Sequence, residues 1–273
     1  MINLTREFRF CLADPDADLA RVGNSWTGAY TSNLVRPFLK LRLTVSGEIQ
    51  QPTGYLCNVK VLDQMVQQFV EETIRQPAGQ PARQESLTYE RLIVMAAEHV
   101  RRNIPTGAEF QRLELVVSPT FFYSIDQKQS SMVSDKNEFV CLTQQFEFSA
   151  AHRLHCVEFS DEQNREIFGK CNNPEGHGHN YVVEVTVGNS VDLPAAGKVV
   201  CLADFELAVK RLVIDRLDHK HLNRDVAEFA DLNPSVENIA VKIWDWLDGN
   251  IPNTQLKRIR VYETPKTWAE YSG

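Results

Sequence analysis

The strongest constraint on this chain is a pattern that it carries twice. Residues 5–10, Thr-Arg-Glu-Phe-Arg-Phe, overlay residues 143–148, Thr-Gln-Gln-Phe-Glu-Phe, matching Thr5 with Thr143, Phe8 with Phe146 and Phe10 with Phe148. The alternating aromatics predict a half-buried strand in each place. A second alternating run follows in each copy, at residues 39–45 and 181–187, and then a glycine-led turn at Gly54 and Gly197. The period then changes to about 3.6, through Val59, Leu62, Val66 and Phe69 in one copy and Leu202, Phe205, Val209 and Leu212 in the other. A second helix is predicted over 87–102 and 234–248, with Pro234 in its first turn and Asn233 or Ser235 as its cap. Asn-Ile-Pro follows each helix, at 103–105 and 250–252, and two short strands end each copy: 112–117 with 121–123, and 258–263 with 268–271.

The predicted fold class is therefore α+β, two tandem ββααββ units, each an antiparallel sheet with paired helices on one face. Residues 1–125 form one domain, the polar stretch 126–137 a linker, and 138–273 the second domain. Such a sheet leaves its edges unpaired, which predicts edge-to-edge joining of the halves or of several chains into a barrel, a homo-oligomer. A length of 273 residues, 43% hydrophobic, suits two packed cores and excludes general disorder. The formal net charge of −7 lacks the positive field used by nonspecific nucleic-acid or membrane-surface binders. With no membrane-spanning run, no signal-like start and six unpaired-looking cysteines, the expected setting is the cytoplasm.

Six of the seven histidines fall between 152 and 221. His177 and His179, in Cys171-Asn-Asn-Pro-Glu-Gly-His-Gly-His-Asn-Tyr181, open a predicted strand, and their spacing of two puts both imidazoles on one face. His152, ending the preceding strand, is a third candidate. Three histidines with a fourth position open suit a catalytic Zn2+; with Cys171 as fourth ligand the site would be closed and structural, and the His-x-His spacing alone also arises on strands that bind nothing. His155 and His221 read as surface or helix-end histidines with no role. Asp218 beside His219 suits an oriented acid-base pair, although a His- and Lys-rich helix end has the same composition. Glu263, at a strand end, could grip the N–H groups of a planar heterocycle.

Taken in order, His152-Arg153-Leu154, Cys171-x5-His177-Gly-His179, Leu217-Asp218-His219-Lys220, Glu237-Asn238 and Tyr262-Glu263-Thr264 closely resemble the 6-pyruvoyltetrahydropterin synthase family of the tunnelling (T-fold) superfamily, over residues 143–271. The resemblance implies that His152, His177 and His179 hold Zn2+. It implies that Cys171, Asp218 and His219 transfer protons, and that Glu263, with Glu237, serves the substrate. It further implies barrel assembly, with active sites at subunit interfaces and proton-transfer groups drawn from different chains. The implied reaction converts 7,8-dihydroneopterin triphosphate to 6-pyruvoyltetrahydropterin; Arg153, Lys170 and Lys220 could meet the triphosphate, although each reads equally as a solvated surface charge. Two alternatives stay open: a 6-carboxytetrahydropterin synthase, whose usual Cys-x3-His spacing differs from the five residues here, and a zinc-stabilised pterin-binding protein without turnover.

In the first half, Asp14, Val35, Pro37 and Val117 align with His152, His177, His179 and Glu263, and no Asp-His pair lies between its helices. That half is expected to be a scaffold without metal or catalytic groups.

Overall fold

The computed structural model describes residues 1–11, 38–73, 87–127, 139–191 and 197–273. It divides into two compact units, Met1–Leu142 with Ser190–Val199, and Thr143–Asn189 with Val200–Gly273. In the first, strands β1 (Ile2–Cys11), β2 (Phe38–Gly47), β3 (Ala108–Ser118) and β4 (Phe121–Asp126) form an antiparallel sheet in chain order. Helices α1 (Val59–Thr73) and α2 (Tyr89–Asn103) lie between β2 and β3 in sequence. Alternation fixes which face is buried: Leu39, Leu41, Leu43 and Val45 of β2 are buried with Leu62, Val66 and Phe69 of α1 and Ile93 and Val100 of α2. Each such side chain contributes roughly 1.5–3 kcal/mol by leaving water. Asp126 closes β4 and pairs with Arg112; residues 128–137 of the expected linker, with Asp14, Val35 and Pro37, lie outside the described residues.

The second unit follows the same order with insertions. Strand β5 (Phe139–His152) leads to α3 (Asp161–Phe168), a 3-10 turn at Gly169–Asn172 and β6 (His177–Ser190). Then come α4 (Leu202–Val209), which continues through a wider turn at Lys210–Ile214 into α5 (Asp215–Leu217), the two-residue β7 (Lys220–His221) and α6 (Leu222–Asp225). Last are α7 (Val236–Leu247), β8 (Gln255–Thr264) and β9 (Thr267–Tyr271). The sheet order is β5-β6-β8-β9, and β7 pairs in parallel with the end of β5, Lys220 beside Ala150 and His221 beside Ala151. Ser235 caps α7 by accepting from the Asn238 N–H; Pro234 precedes that cap and leaves its carbonyl outside the helix, a correction to its predicted place in the first turn.

The correspondence between the units extends past element order. The Thr5–Thr44 and Thr143–Thr186 hydroxyl pairs are both 2.8 Å apart at aligned positions. Register shifts fall at Thr44/Val45 and Thr186/Val187, and again at Val116/Ser118 and Tyr262/Thr264. On the sheet face away from the helices, Arg42 meets Glu114 where Glu184 meets Arg260, the same cross-strand ion pair with its charges exchanged.

Candidate metal centre and cleft

Three imidazoles from two strands meet in the second unit. On β6, His177 and His179 share a face with Tyr181, whose neighbours Val183, Val185 and Val187 are fully buried. On β5, His152 continues the face of Phe148 and Ala150 and is itself fully buried. Phe148 stacks on Tyr181 at 4.9 Å between centroids, which fixes the two strands just beneath the histidines. The ligand atoms of His152, His177 and His179 all lie within 4.8 Å of one another.

The donor chemistry fits a divalent metal such as zinc. His152 Nδ1–H donates to the Pro234 carbonyl at 2.7 Å, which leaves the Nε2 lone pair facing the cluster. That Nε2 stands 3.2 Å from His177 Nε2, and His179 Nε2 is buried with no hydrogen-bond partner. Buried polar atoms are normally partnered, so the unpartnered His179 Nε2, converging with the ring nitrogens of His152 and His177, marks a place for a cation or a proton. Protonation is disfavoured: burial, then the neighbouring His177 and His179, bring the His152 pKa down to about 4 despite the Pro234 bond, and burial lowers that of His177.

Glu263 reaches the same point, with Oε1 3.3 Å from His152 Nε2 and 3.6 Å from His179 Nε2. It sits at the register shift between Tyr262 and Thr264, a bulge that redirects a strand-end side chain. Cys171, in the 3-10 turn, lines a cleft of about 860 Å³ together with His177 and His179. Its thiol pKa is pushed up, first by burial and then by the Glu263 carboxylate. The turn is fastened from several sides: Leu154 N–H donates to the Cys171 carbonyl at 2.8 Å, and Asn172 Nδ2 donates to Leu154 O at 2.7 Å.

Asp218 and His219 do form a pair, His219 Nδ1 to Asp218 Oδ2 at 2.8 Å. Asp218 Oδ1 also accepts the Ser149 N–H at 2.9 Å; that bond, then His219, holds its carboxyl below the usual range. His219 has φ +57 and donates its own N–H to Ser149 O at 2.6 Å, strain retained by this clamp on β5. Its side chain is 83% exposed, and neither residue lines the cleft that holds Cys171. Within one chain the Asp218–His219 pair and the Cys171 thiol therefore stand apart, as the expectation of groups drawn from different chains requires. Glu237 is likewise exposed, in the first turn of α7.

Two histidines read as surface residues have structural surroundings. His155 Nδ1 stands 3.0 Å from Asn172 Nδ2 and 3.2 Å from an Arg153 guanidinium nitrogen. His221 has both ring nitrogens buried without a partner among the described residues, and a Cβ on Gly176 would stand 2.7 Å from its Nε2. Gly176, at φ +77, is thus required both by conformation and by space. The helix α3 was also readable: Ser160 and Gln163 form a capping box, the Ser-x-x-Gln signature.

Fold and site together define a class, a mixed α/β protein whose antiparallel sheet carries a three-histidine, metal-competent cluster beside a thiol-lined cleft. The sequence model of the 6-pyruvoyl tetrahydropterin synthase family matches residues 141–273, and the chain belongs to that family. It is 48% identical over 126 residues to the 6-pyruvoyl tetrahydrobiopterin synthase of Poecilia reticulata, covering 46% of this chain and 85% of that protein. To the human protein of the same name it is 46% identical over 132 residues, covering 48% and 90%. Among solved structures, the Caenorhabditis elegans 6-pyruvoyl tetrahydropterin synthase is 39% identical, covering 50% of this chain and 96% of that one, with a TM-score of 0.47. No helix among the described residues is long and apolar enough to cross a membrane.

Proposed function

We propose that this chain converts 7,8-dihydroneopterin triphosphate to 6-pyruvoyltetrahydropterin with loss of triphosphate, a zinc-dependent lyase reaction. The observation that carries the proposal is the meeting of His152, His177, His179 and Glu263 at one point, beside the Cys171 cleft. His152, His177 and His179 would hold zinc, which when bound supplies Lewis acidity toward the hydroxyls of the substrate side chain. Glu263 accepts from the N–H groups of the pterin edge, and that contact offsets the negative charge now raising the Cys171 thiol. Cys171 then takes a proton from the side chain as its thiolate. The Asp218 carboxylate orients His219 and stabilises its charged form, so the imidazole can return a proton.

Because His219 projects into solvent and does not line its own cleft, its partner thiol belongs to a neighbouring chain, as expected of sites at subunit interfaces. The sheet of each unit is open, and open edges suit closure of a barrel between chains. The repeated bulges, threonine pairs and exchanged ion pair support reading the first unit as a second copy of the same fold that kept its packing without the chemistry. In that copy Val117 stands where Glu263 stands in the other.

The test is incubation of the metal-loaded full chain with 7,8-dihydroneopterin triphosphate, followed by mass identification of the pterin. The 6-pyruvoyl product is expected. A 6-carboxy product would move the chain to the alternative synthase, and unchanged substrate would favour a binding protein without turnover. Cys171→Ala should keep zinc and ligand and lose turnover.

A further inference from the structure

The carbonyl that orients His152 belongs to Pro234, and Pro234 is itself held through its neighbour Asn233. The Asn233 carbonyl accepts the Ser235 N–H at 2.8 Å and an Asn238 Nδ2 hydrogen at 2.9 Å, two bonds from the start of α7. Its side-chain Oδ1 accepts the His155 N–H at 2.8 Å, a bond from the segment that leaves β5 just past His152. Proline offers no N–H as an anchor and has a fixed φ, so the direction of the Pro234 carbonyl follows from how Asn233 and Ser235 are held.

His155 carries the connection onward. Its Nδ1 accepts one hydrogen of Asn172 Nδ2 at 3.0 Å, and the other hydrogen of that amide goes to the Leu154 carbonyl at 2.7 Å. Asn172 is buried and directly follows Cys171 in the 3-10 turn, and the Cys171 carbonyl accepts the Leu154 N–H at 2.8 Å. Leu154 and His155 thus stand between the two functional elements, with Asn233 bonded on one side and the turn of the thiol on the other. A polar network whose members are mutually satisfied holds one arrangement, and partners behind a ligating imidazole fix both its tautomer and its direction. His155, read from sequence as a histidine with no role, has one in this network.

We propose that Asn233 and His155 are positioning residues of the metal centre: Asn233 aims the Pro234 carbonyl at His152, and His155 ties that constraint to the turn bearing Cys171. The inference rests on the reading of His152, His177 and His179 as a metal site. One network then sets both the tautomer of His152 and the place of the thiol, and loosening its middle disturbs both ends.

The experiment uses the full chain and reads three quantities: imidazole nitrogen spectra of the metal-free protein at neutral pH, zinc affinity by competition with a chelator, and the rate of Cys171 alkylation followed by peptide mass. His152 should carry its proton on Nδ1 in the parent chain. Asn233→Ala should spread that proton over both nitrogens, a signature that reads the Pro234 bond itself. The same variant should weaken zinc binding by about 10- to 100-fold, the range for losing a partner behind a metal ligand. Asn233→Asp, which keeps the accepting Oδ1, should restore most of both. His155→Ala changes a half-buried position and keeps the backbone N–H that Asn233 accepts, so the fold should survive. It should quicken alkylation of Cys171 several-fold and weaken zinc binding several-fold, and His155→Asn should recover most of each by returning an acceptor to Asn172. An unchanged His152 signal and zinc affinity in Asn233→Ala would overturn the aiming role. Unchanged zinc affinity in His155→Ala would overturn the connection, whether or not Asn233→Ala folds. Failure of the parent chain to bind zinc would instead overturn the metal reading beneath both.

Discussion

Acidification should destabilise the metal-free chain through His152 in a defined window. The ring is fully buried, and burial together with His177 and His179 brings its pKa from 6.5 down to about 4. A lowered folded value means that the unfolded chain takes up the proton first. The stability owed to neutral His152 is therefore complete above pH 6.5 and is lost progressively as pH falls from 6.5 to about 4. At about pH 4.5 the loss amounts to roughly 2–3 kcal/mol, and the lowered His177 adds in the same direction. The assay is urea unfolding of the metal-free protein between pH 7.5 and 4.5, run beside His152→Asn. Asparagine removes the titration and keeps an N–H able to reach the Pro234 carbonyl, while carboxylate titrations elsewhere cancel in the comparison. The wild type should lose more stability across this window by the stated amount; equal losses in both proteins would refute the reasoning.

Glu263→Gln should lower the pH at which Cys171 is alkylated in the metal-free chain, since the carboxylate is one of two causes raising that thiol; an unmoved profile would leave burial as the whole effect. Thr143→Val should cost about 1–3 kcal/mol in urea unfolding by leaving the buried Thr186 hydroxyl unpaired. Adding Thr186→Val should recover most of that loss, and Thr5→Val, at the exposed counterpart of the pair, should cost little. Gly176→Ala should destabilise by at least about 1–2 kcal/mol from its backbone conformation alone, with a further cost from the Cβ driven against His221 and the His152 carbonyl; equal melting of mutant and wild type would contradict that geometry.

Much of the fold was legible because period-two and period-3.6 patterns both appear twice and in the same order. The strand face of His177 and His179 followed from alternation alone. Their convergence with His152 needed only that its strand neighbour theirs. Less legible were features set by tertiary contacts. The aim of Glu263 depends on a bulge, the orientation of His152 on the Pro234 carbonyl, and the position of Asp218 on a backbone N–H of Ser149. His221 looked like a helix-end residue because nothing local reveals that β7 lays it against β5. Asp218 and His219 form their pair away from the cleft that Cys171 lines, a placement that motif order alone does not reveal.

The proposed function requires one histidine centre per chain, built from His152, His177 and His179, to hold the metal, and the first unit to hold none. Zinc analysis of the purified full chain tests it most directly. About one zinc per chain is expected, abolished by His177→Ala in a protein that still folds. About two per chain, or one that survives loss of His177, would contradict it.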